Sequence, residues 1–200
     1  MPKRKGEKYH AIINAATKVF ARYGYHQTQV SKIAREAQVA DGTIYLYFKS
    51  KEDILISLIT EKLGEMVALV EEKVAQQQAV EEKLKTLITL HFSYMAEDPD
   101  LAMVTQLELR QLELRQLNPL IREKISEVLK RHLRVIDHII QSGIEQKVFR
   151  PDLDPLLARY MIFGTLDETI TSWLMKEQKF NLLSKVDSLW QLLLGGLKAA

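Results

Sequence analysis

The segment between residues 28 and 48 constrains the fold more than any other part of this sequence. One face of a first short helix is apolar and consists of Val30, Ile33, Ala34 and Ala37. After a turn of three or four residues, Ile44 and Phe48 supply the apolar face of a second short helix. Ala34 is small where the two helices would cross, as close and steep packing requires. The pattern predicts two short helices joined by a tight turn.

Nearly all of the remaining chain has the apolar spacing of α-helices. It contains 8 Gly and 5 Pro in 200 residues, and no β-type alternation lies between turn residues. Helix-ending signals occur at Gly24, 38–41, 49–50, 76–79, Asp98-Pro99, Asn118-Pro119 and 150–155. The sequence therefore predicts an all-α chain of about nine helices. We expect a three-helix domain over residues 1–50 (the head), joined by a continuous helix from Lys51 to a ligand-binding and dimerisation domain over residues 51–200 (the body).

The second short helix has more outward-facing residues than packing needs. Exposed tyrosines in a helix of six or seven residues are hard to explain as core, yet Tyr45 and Tyr47 are free to face outward. The head has nine Lys and Arg against three Asp and Glu, a net charge of +6, so the body carries −4 of the overall +2. This uneven distribution of charge favours a polyanion as the partner of the head. The alternative is that the charges belong to an ordinary helix surface exposed to solvent. Together the two features predict a helix-turn-helix that reads the major groove of DNA.

The residues of this module resemble the helix-turn-helix of the TetR family of bacterial regulators. The match covers the run Asp41–Ile54, and before it Gly24-Tyr25, Thr28, Val30 and Ile33-Ala34. The resemblance implies phosphate contacts by Thr28, Thr43, Tyr47 and Lys51. It implies an approach to base edges by Gly42 and Tyr45. In the turn, where such motifs usually have glycine, this chain has Gln38, which predicts a left-handed backbone at a cost of about 1 kcal/mol.

The last two predicted helices, about residues 155–176 and 181–197, are apolar on more faces than the core of one chain requires. The final helix is crowded by Leu182, Leu183, Val186, Leu189, Trp190, Leu192, Leu193 and Leu194. The helix before it offers Ala158, Met161, Ile162, Thr165 and Leu166, and its small Gly164 permits close approach. With their symmetry mates these helices would form the four-helix interface of a homodimer, which suits a palindromic operator. A single well-filled monomer core is the alternative.

A tandem repeat, Leu107–Gln111 followed by Leu112–Gln116, is the most unusual feature of the body. A five-residue repeat rotates by about 140° around a helix, so its leucines point in several directions and imply burial on several sides. Arg110 and Arg115 are then drawn partly inside, and a partly buried arginine needs an anion. That anion is either an internal carboxylate, Glu108 or Glu113, or a phosphate or carboxylate of a ligand.

Two stretches of the body, residues 103–111 and 161–173, resemble the Bacillus-type repressors of fatty-acid degradation within the TetR family. The resemblance implies a repressor of β-oxidation genes that long-chain acyl-coenzyme A (acyl-CoA) releases from DNA. Such an effector needs an apolar tunnel and cations for its phosphates, and Met95 and Met103 suit a tunnel for variable chains. The candidate ligand-binding residues are Phe92, Val104, Gln106, Leu107, Arg110, Gln111, Arg115, Ile162, Phe163, Leu166 and Trp173, with Arg110 and Arg115 assigned to the phosphates.

No pattern in the sequence predicts an enzyme, a metal site or a cofactor. There is no cysteine, the five histidines are scattered, and Asp167 and Glu168 point about 100° apart on a helix. His91, on an otherwise apolar helix, fits a core histidine whose nitrogens are hydrogen-bonded. The sequence shows neither a signal peptide nor an apolar run long enough for a membrane span, so we expect a soluble, cytoplasmic protein.

Three other functions fit parts of these patterns. A TetR-type regulator of drug efflux would have the same head and a body that senses hydrophobic compounds. An acyl-CoA-binding carrier, or a DNA-binding protein without operator specificity, would belong to another class. Operator release by acyl-CoA separates the leading hypothesis from all of these.

Overall fold

The computed structural model describes residues 6–108 and 119–199. Nine α-helices lie in these residues: α1 (Glu7–Tyr23), α2 (Val30–Glu36), α3 (Asp41–Tyr45), α4 (Lys51–Ala75), α5 (Val80–Glu97), α6 (Pro99–Met103), α7 (Pro119–Glu145), α8 (Pro155–Met175) and α9 (Val186–Leu197). A π-helical turn (Val104–Glu108) follows α6, and a 3₁₀ turn (Leu182–Lys185) precedes α9. Within the described ranges the only β-type pairing is an isolated bridge between Phe149 and Lys198. The all-α prediction is confirmed.

Several helices begin and end at the predicted turn residues, whereas α7 ends at Glu145, before the predicted break at residues 150–155. α4 ends at Ala75 and α5 begins at Val80, on either side of the predicted break at residues 76–79. α8 begins with Pro155, and the carboxylate of Asp154 accepts hydrogen bonds from the first free N–H groups of that helix. In the turn between α2 and α3, Gln38 has a φ of 55°. The left-handed backbone expected of this residue is therefore observed.

The chain divides into two compact units. Unit 1 comprises the described parts of Met1–Leu63 and Asp100–Ile125, and unit 2 comprises those of Gly64–Pro99 and Ser126–Ala200. The boundaries lie inside helices, since α4 runs unbroken from Lys51 to Ala75, as predicted. α6 and the π-helical turn belong to the same unit as the head. A functional domain boundary at residue 50 stays a prediction.

The core of unit 1 contains buried residues of α1, α2, the first part of α4 and the π-helical turn. α1 packs against α2, α2 packs against α3, and the π-helical turn contacts α1. The fully buried side chains include Ile12, Phe20, Ile33 and Ala34, and Ala34 lies on the face of α2 predicted to meet another helix. Segment 104–108 is thus in direct contact with the first helix of the head.

In unit 2, α5 packs against α8, the 3₁₀ turn and α9. The sequence pattern assigned a single set of apolar residues on the last two helices to a dimer interface. The packing within unit 2 instead buries one group of them and leaves another group exposed. Ala158, Ile162, Leu166, Leu182, Val186, Leu189, Leu193 and Leu194 are buried inside the unit. Of the predicted interface residues, Met161, Leu183 and Leu192 remain exposed, and Leu157 and Tyr160 on α8, which were not in the prediction, are exposed as well. The helices are apolar on two faces, one of which fills the unit's own core.

Gly143 is required by the close approach of a buried ring. A Cβ added there would lie 2.1 Å from a carbon of Phe149, whose side chain is fully buried. The carbonyl oxygen of Gly143 also accepts hydrogen bonds from the N–H groups of Val148 and Phe149, which fixes the turn after α7. Neither the ring of Phe149 nor the turn at Val148 and Phe149 can move to accommodate a Cβ at Gly143 without disturbing the core.

We therefore expect Gly143→Ala to lower the free energy of unfolding by about 3 kcal/mol through overpacking. Urea unfolding followed by circular dichroism measures the loss. Gly64→Ala, where an added Cβ meets no described atom within 4 Å, is the matched control and is expected to raise stability by about 0.5–1 kcal/mol. A Gly143→Ala chain as stable as the wild type would contradict this account.

Candidate DNA-binding surface and ligand site

α3 presents a short, exposed surface on a buried base. Ile44 and Phe48 are buried, as the sequence predicted, whereas Tyr45 is 58% exposed. Gly42 is exposed, and a Cβ added there would meet no described atom within 4 Å. Thr43 is partly exposed on the same helix. The two residues assigned to base edges, Gly42 and Tyr45, are therefore both accessible to a partner.

Tyr47 and the base of α3 are held by aromatic packing. The ring of Tyr9 stacks on Phe48, with centroids 5.0 Å apart, and meets Tyr47 edge-on at 6.2 Å. The Tyr9 hydroxyl donates a hydrogen bond to the carboxylate of Glu61 in α4. Burial, assisted by Glu61, raises the pKa of Tyr9 well above its usual value, so the hydroxyl keeps its proton. α3 is thereby linked through α1 to the third turn of α4.

Lys51 and Thr28 are engaged with the backbone in the DNA-free chain. The Lys51 ammonium donates to the carbonyl oxygens of Tyr25 at 2.7 Å, Thr28 at 2.9 Å and His26 at 3.2 Å. It also lies 4.4 Å from the centroid of the Tyr25 ring. Thr28 is buried, and its hydroxyl donates to the carbonyl oxygen of Gly24 at 2.7 Å. An ammonium has three protons, so a phosphate contact by Lys51, which stays a prediction, requires exchange of one of these bonds.

This role of Lys51 was not visible in the sequence. The ammonium fastens the loop before α2 to the first turn of α4, and partial burial lowers its pKa. Its carbonyl partners lie 23 to 26 positions away in the sequence. Every residue has a backbone carbonyl group, so the sequence does not indicate which of these groups can accept a hydrogen bond from Lys51. Only the folded structure reveals the contact.

The π-helical turn contains three of the predicted ligand residues. Val104 and Gln106 are buried there, and Leu107 is partly buried. π-Helical turns interrupt regular helices and are frequent at functional sites. The predicted ligand residues Arg110, Gln111 and Arg115 lie outside the described residues, so their two interpretations, internal ion pair or ligand phosphate, both stay predictions.

The remaining candidate ligand residues lie in unit 2, on the packed helices α5 and α8. Phe92, Ile162 and Leu166 are fully buried, and Phe163 is partly buried. Trp173 is also buried, and its indole N–H donates to the carbonyl oxygen of Phe180 at 2.9 Å. Because α5 packs against α8, these residues belong to the apolar core between the two helices, which we call the apolar cluster. Contact with a ligand stays a prediction for each residue.

Two buried histidines lie beside this cluster. The rings of His91 in α5 and His132 in α7 have centroids 5.0 Å apart, and the His132 ring is 6.0 Å from that of Phe163. The two histidines are 4% and 2% exposed, and none of their four ring nitrogens has a hydrogen-bond partner among the described residues. The expectation that the nitrogens of His91 are hydrogen-bonded is therefore wrong.

Burial keeps both rings neutral. It lowers the pKa of His91 to about 3, with His132 adding to the effect. It lowers the pKa of His132 to about 4, against an opposing influence of Glu71. The sequence did not reveal the pair, because the two residues are 41 positions apart and no local pattern connects them.

A pocket of about 250 Å³ opens in the same unit, between α4, α5 and α7. Its lining residues are Glu71, Val74, Ala75, Lys83, Arg134, Val135 and His138. Glu71 is engaged by the guanidinium of Arg131, whose Nε donates to it at 3.3 Å. Lys83 and Arg134 leave the pocket with a cationic character, which suits an anionic group.

Two further features concern the described residues as a whole. None of their helices is long and apolar enough to cross a membrane. Nowhere in residues 6–108 and 119–199 do three or more His, Asp or Glu side chains gather closely enough to hold a metal ion.

An exposed short helix that follows a tight turn on an all-helical scaffold is the architecture of the helix-turn-helix regulators. The chain belongs to the TetR family. The family described as bacterial regulatory proteins, tetR family, matches residues 12–58. A second family, described as YsiA-like protein, C-terminal region, matches residues 59–196.

Several relatives match almost the whole chain. The fatty acid metabolism regulator protein of Bacillus subtilis (strain 168) is 51% identical over 195 residues, which cover 98% of both sequences. The crystal structure of FadR from Bacillus subtilis in complex with stearoyl-CoA has a TM-score of 0.84 at 51% identity, covering 94% of this chain and 98% of that one. The fatty acid degradation regulator FadR from Bacillus halodurans has a TM-score of 0.87 at 52% identity, covering 99% and 100%. The predicted resemblance to this group of repressors is confirmed.

The Lys51 contacts predict a loss of stability that is independent of DNA. Lys51→Ala removes three charge-assisted bonds to a partly buried loop, and we expect the free energy of unfolding to fall by about 1–2 kcal/mol. Urea unfolding without DNA measures it. Lys49→Ala truncates an exposed lysine of the same junction and is expected to change stability by less than about 0.5 kcal/mol. Equal stability of the two variants would rule out the role given to Lys51.

The histidine pair predicts a pH dependence of stability. An unfolded histidine binds its proton near pH 6.5, whereas the folded pair resists protonation down to its lowered pKa values. The unfolded state therefore binds more protons as pH falls from 7 to 5, and the free energy of unfolding falls. We expect the double variant His91→Leu, His132→Leu to lose less stability between these pH values in urea unfolding.

The exposed His138, on the same helix as His132, supplies the control for this measurement. His138→Gln is expected to retain the wild-type pH dependence. If the wild type and the double variant lose stability in parallel, the two histidines are not held neutral by burial.

Proposed function

We propose that this chain is a homodimeric transcriptional repressor of fatty-acid degradation genes that long-chain acyl-CoA releases from a palindromic operator. The observation that carries the proposal is the match over 94% of the chain, at 51% identity, to a FadR whose crystal structure holds stearoyl-CoA. The relatives are transcriptional regulators, so acyl-CoA acts here as an effector and the proposal includes no catalytic step. No feature of the described residues favours a drug-efflux regulator or an acyl-CoA carrier over this function.

Operator recognition is assigned to the surface of α3. Gly42 and Tyr45 approach the base edges in the major groove and supply sequence preference. Thr28, Thr43, Tyr47 and Lys51 contact the phosphates and supply salt-dependent affinity. The exposure of Tyr45 and Gly42, together with the net charge of +6 on residues 1–50, supports this assignment.

Dimerisation is assigned to the exposed apolar faces of α8 and α9. Leu157 is 61% exposed and Leu192 is 75% exposed, and Tyr160 and Met161 are exposed as well. A Cβ added at Gly164 would meet no described atom within 4 Å, so a second helix can approach α8 closely. A contiguous apolar face of this kind is unusual on a monomer and suits a two-fold interface. The two-fold axis then presents two heads to the two halves of a palindrome.

The response to acyl-CoA is assigned to the body. Phe92, Ile162, Phe163, Leu166 and Trp173 receive the acyl chain, and Val104, Gln106 and Leu107 are assigned to effector binding as well. Arg110 and Arg115, with Gln111 as a polar neighbour, contact the phosphates. Release requires that acyl-CoA bind more tightly to the conformation that does not bind the operator. The contact between the π-helical turn and α1 offers a direct physical route from this segment to the head.

The proposed function is tested by an electrophoretic mobility shift on a palindromic operator, titrated with palmitoyl-CoA. We expect free DNA to appear as palmitoyl-CoA increases, because the effector withdraws the protein from the operator. Free coenzyme A and cationic dyes at the same concentrations are expected to leave the complex intact. A complex that persists in saturating palmitoyl-CoA, or that only the dyes dissolve, would refute the proposal.

Replacement of single head residues separates the two kinds of DNA contact. Tyr45→Ala is expected to reduce the ratio of operator to non-operator affinity by about 10-fold, because a base-edge contact is lost. Lys51→Ala is expected to weaken binding to both DNAs equally and to lower the slope of log K against log salt concentration by about 1. Fluorescence anisotropy with the two DNAs at several salt concentrations measures both quantities. Unchanged binding by both variants would contradict the assignment of the head.

A further inference from the structure

The buried pair formed by His91 and His132 has no part in the function as described so far. Their ring centroids are 5.0 Å apart, and four ring nitrogens inside unit 2 have no hydrogen-bond partner among the described residues. Burying a polar group without a partner costs free energy, and two apolar side chains of similar size would pack there at lower cost. The pair therefore indicates that a polar group of a ligand enters this part of the core.

The protonation state of the pair restricts which group it can bind. Each neutral imidazole offers one N–H donor and one nitrogen acceptor. An uncharged oxygen accepts such a donor without bringing a net charge into the core. A carboxylate would introduce a charge that the two neutral rings do not compensate, and its desolvation is expensive. The chemistry of the pair selects a carbonyl oxygen over the carboxylate of a free fatty acid.

The neighbours of the pair follow an order along the helices. On α5, Lys83 in the cationic pocket precedes His91 by eight residues, about 12 Å of helix, and Phe92 follows directly. On α7, Val135 lines the pocket one turn after His132. The ring of Phe163, from the apolar cluster, lies 6.0 Å from that of His132. The pair thus lies between a cationic pocket and an apolar cluster.

An acyl-CoA has the same order of chemical groups. Its anionic nucleotide is followed by the pantetheine arm, then by the neutral thioester, and last by the apolar chain. The nucleotide carries several phosphate groups, so Lys83 and Arg134 can contact one of them in addition to those assigned to Arg110 and Arg115. We propose that His91 and His132 donate hydrogen bonds to the thioester carbonyl oxygen of the effector and so distinguish acyl-CoA from analogues without that oxygen. This inference rests on the proposed function, because it takes acyl-CoA as the effector.

A pair of ligands that differ only at the thioester tests the inference. Palmitoyl-CoA has the carbonyl oxygen, and S-hexadecyl-CoA is the thioether of the same length with a methylene in its place. Isothermal titration calorimetry gives the dissociation constant of each ligand with the wild type, with His91→Leu, with His132→Leu and with the double variant. The same ligands are added to the operator complex in a mobility shift assay.

We expect the wild type to bind palmitoyl-CoA about 10-fold more tightly than S-hexadecyl-CoA, the effect of one or two hydrogen bonds. In the double leucine variant this ratio falls to about 1, while S-hexadecyl-CoA binds at least as tightly as to the wild type. Retained binding of the thioether shows that the variant is folded. His132→Gln, which keeps a donor, is expected to recover part of the ratio. His10→Leu, an exposed histidine of α1, is the control and keeps the wild-type ratio.

The results distinguish a wrong role for the two histidines from a wrong proposed function. If both ligands bind the wild type equally and palmitoyl-CoA still releases the operator, the proposed function stands and the role of the histidines is wrong. The same conclusion follows if the 10-fold preference persists in the double variant. If neither ligand binds the wild type, the proposed function fails and the inference fails with it.

Discussion

The attachment of the head to α4 is the constraint on which the DNA-binding surface depends. At the first turn of α4, the ammonium of Lys51 donates to three carbonyl oxygens of the loop before α2. Ten residues later, Glu61 accepts a hydrogen bond from Tyr9, whose ring stacks under Phe48 at the base of α3. The two contacts are about 15 Å apart along the helix. A displacement of α4 is therefore transmitted to α3 at two points, and the exposed Tyr45 moves with it.

This attachment gives the effector a mechanical means of action. α6 and the π-helical turn belong to the same unit as the head, and the turn contacts α1. An effector that repacks residues 104–108 acts on the helix that supports α3, without any need for a long chain of intermediates. Thermodynamics sets the size of the effect: coupling of about 1–3 kcal/mol between acyl-CoA and operator changes the affinity of each by about 5- to 150-fold. A repressor with few base contacts needs no larger change to leave its site.

The sequence predicts those features that local chemistry determines. The left-handed turn at Gln38, the break between α4 and α5 at residues 76–79 and the exposure of Tyr45 follow from residue type and spacing, and the structure has all three. Contacts that depend on distant segments were missed, namely the carbonyl partners of Lys51 and the pairing of His91 with His132. The sequence also did not separate the two apolar faces of α8 and α9. One face fills the core and includes Ile162 and Leu193, and the other stays exposed and includes Leu157 and Leu192. Hydrophobic periodicity does not distinguish between two such faces.

Operator DNA and acyl-CoA bind competing conformations of one protein in this mechanism, so each ligand weakens the binding of the other. The dissociation constant of palmitoyl-CoA is measured by isothermal titration calorimetry with the free protein and with the protein saturated by operator DNA. The affinity of the operator is measured with and without saturating palmitoyl-CoA. Linkage predicts that operator weakens palmitoyl-CoA binding by the same factor by which palmitoyl-CoA weakens operator binding. Equal affinity of palmitoyl-CoA for the free and the operator-bound protein would contradict the account.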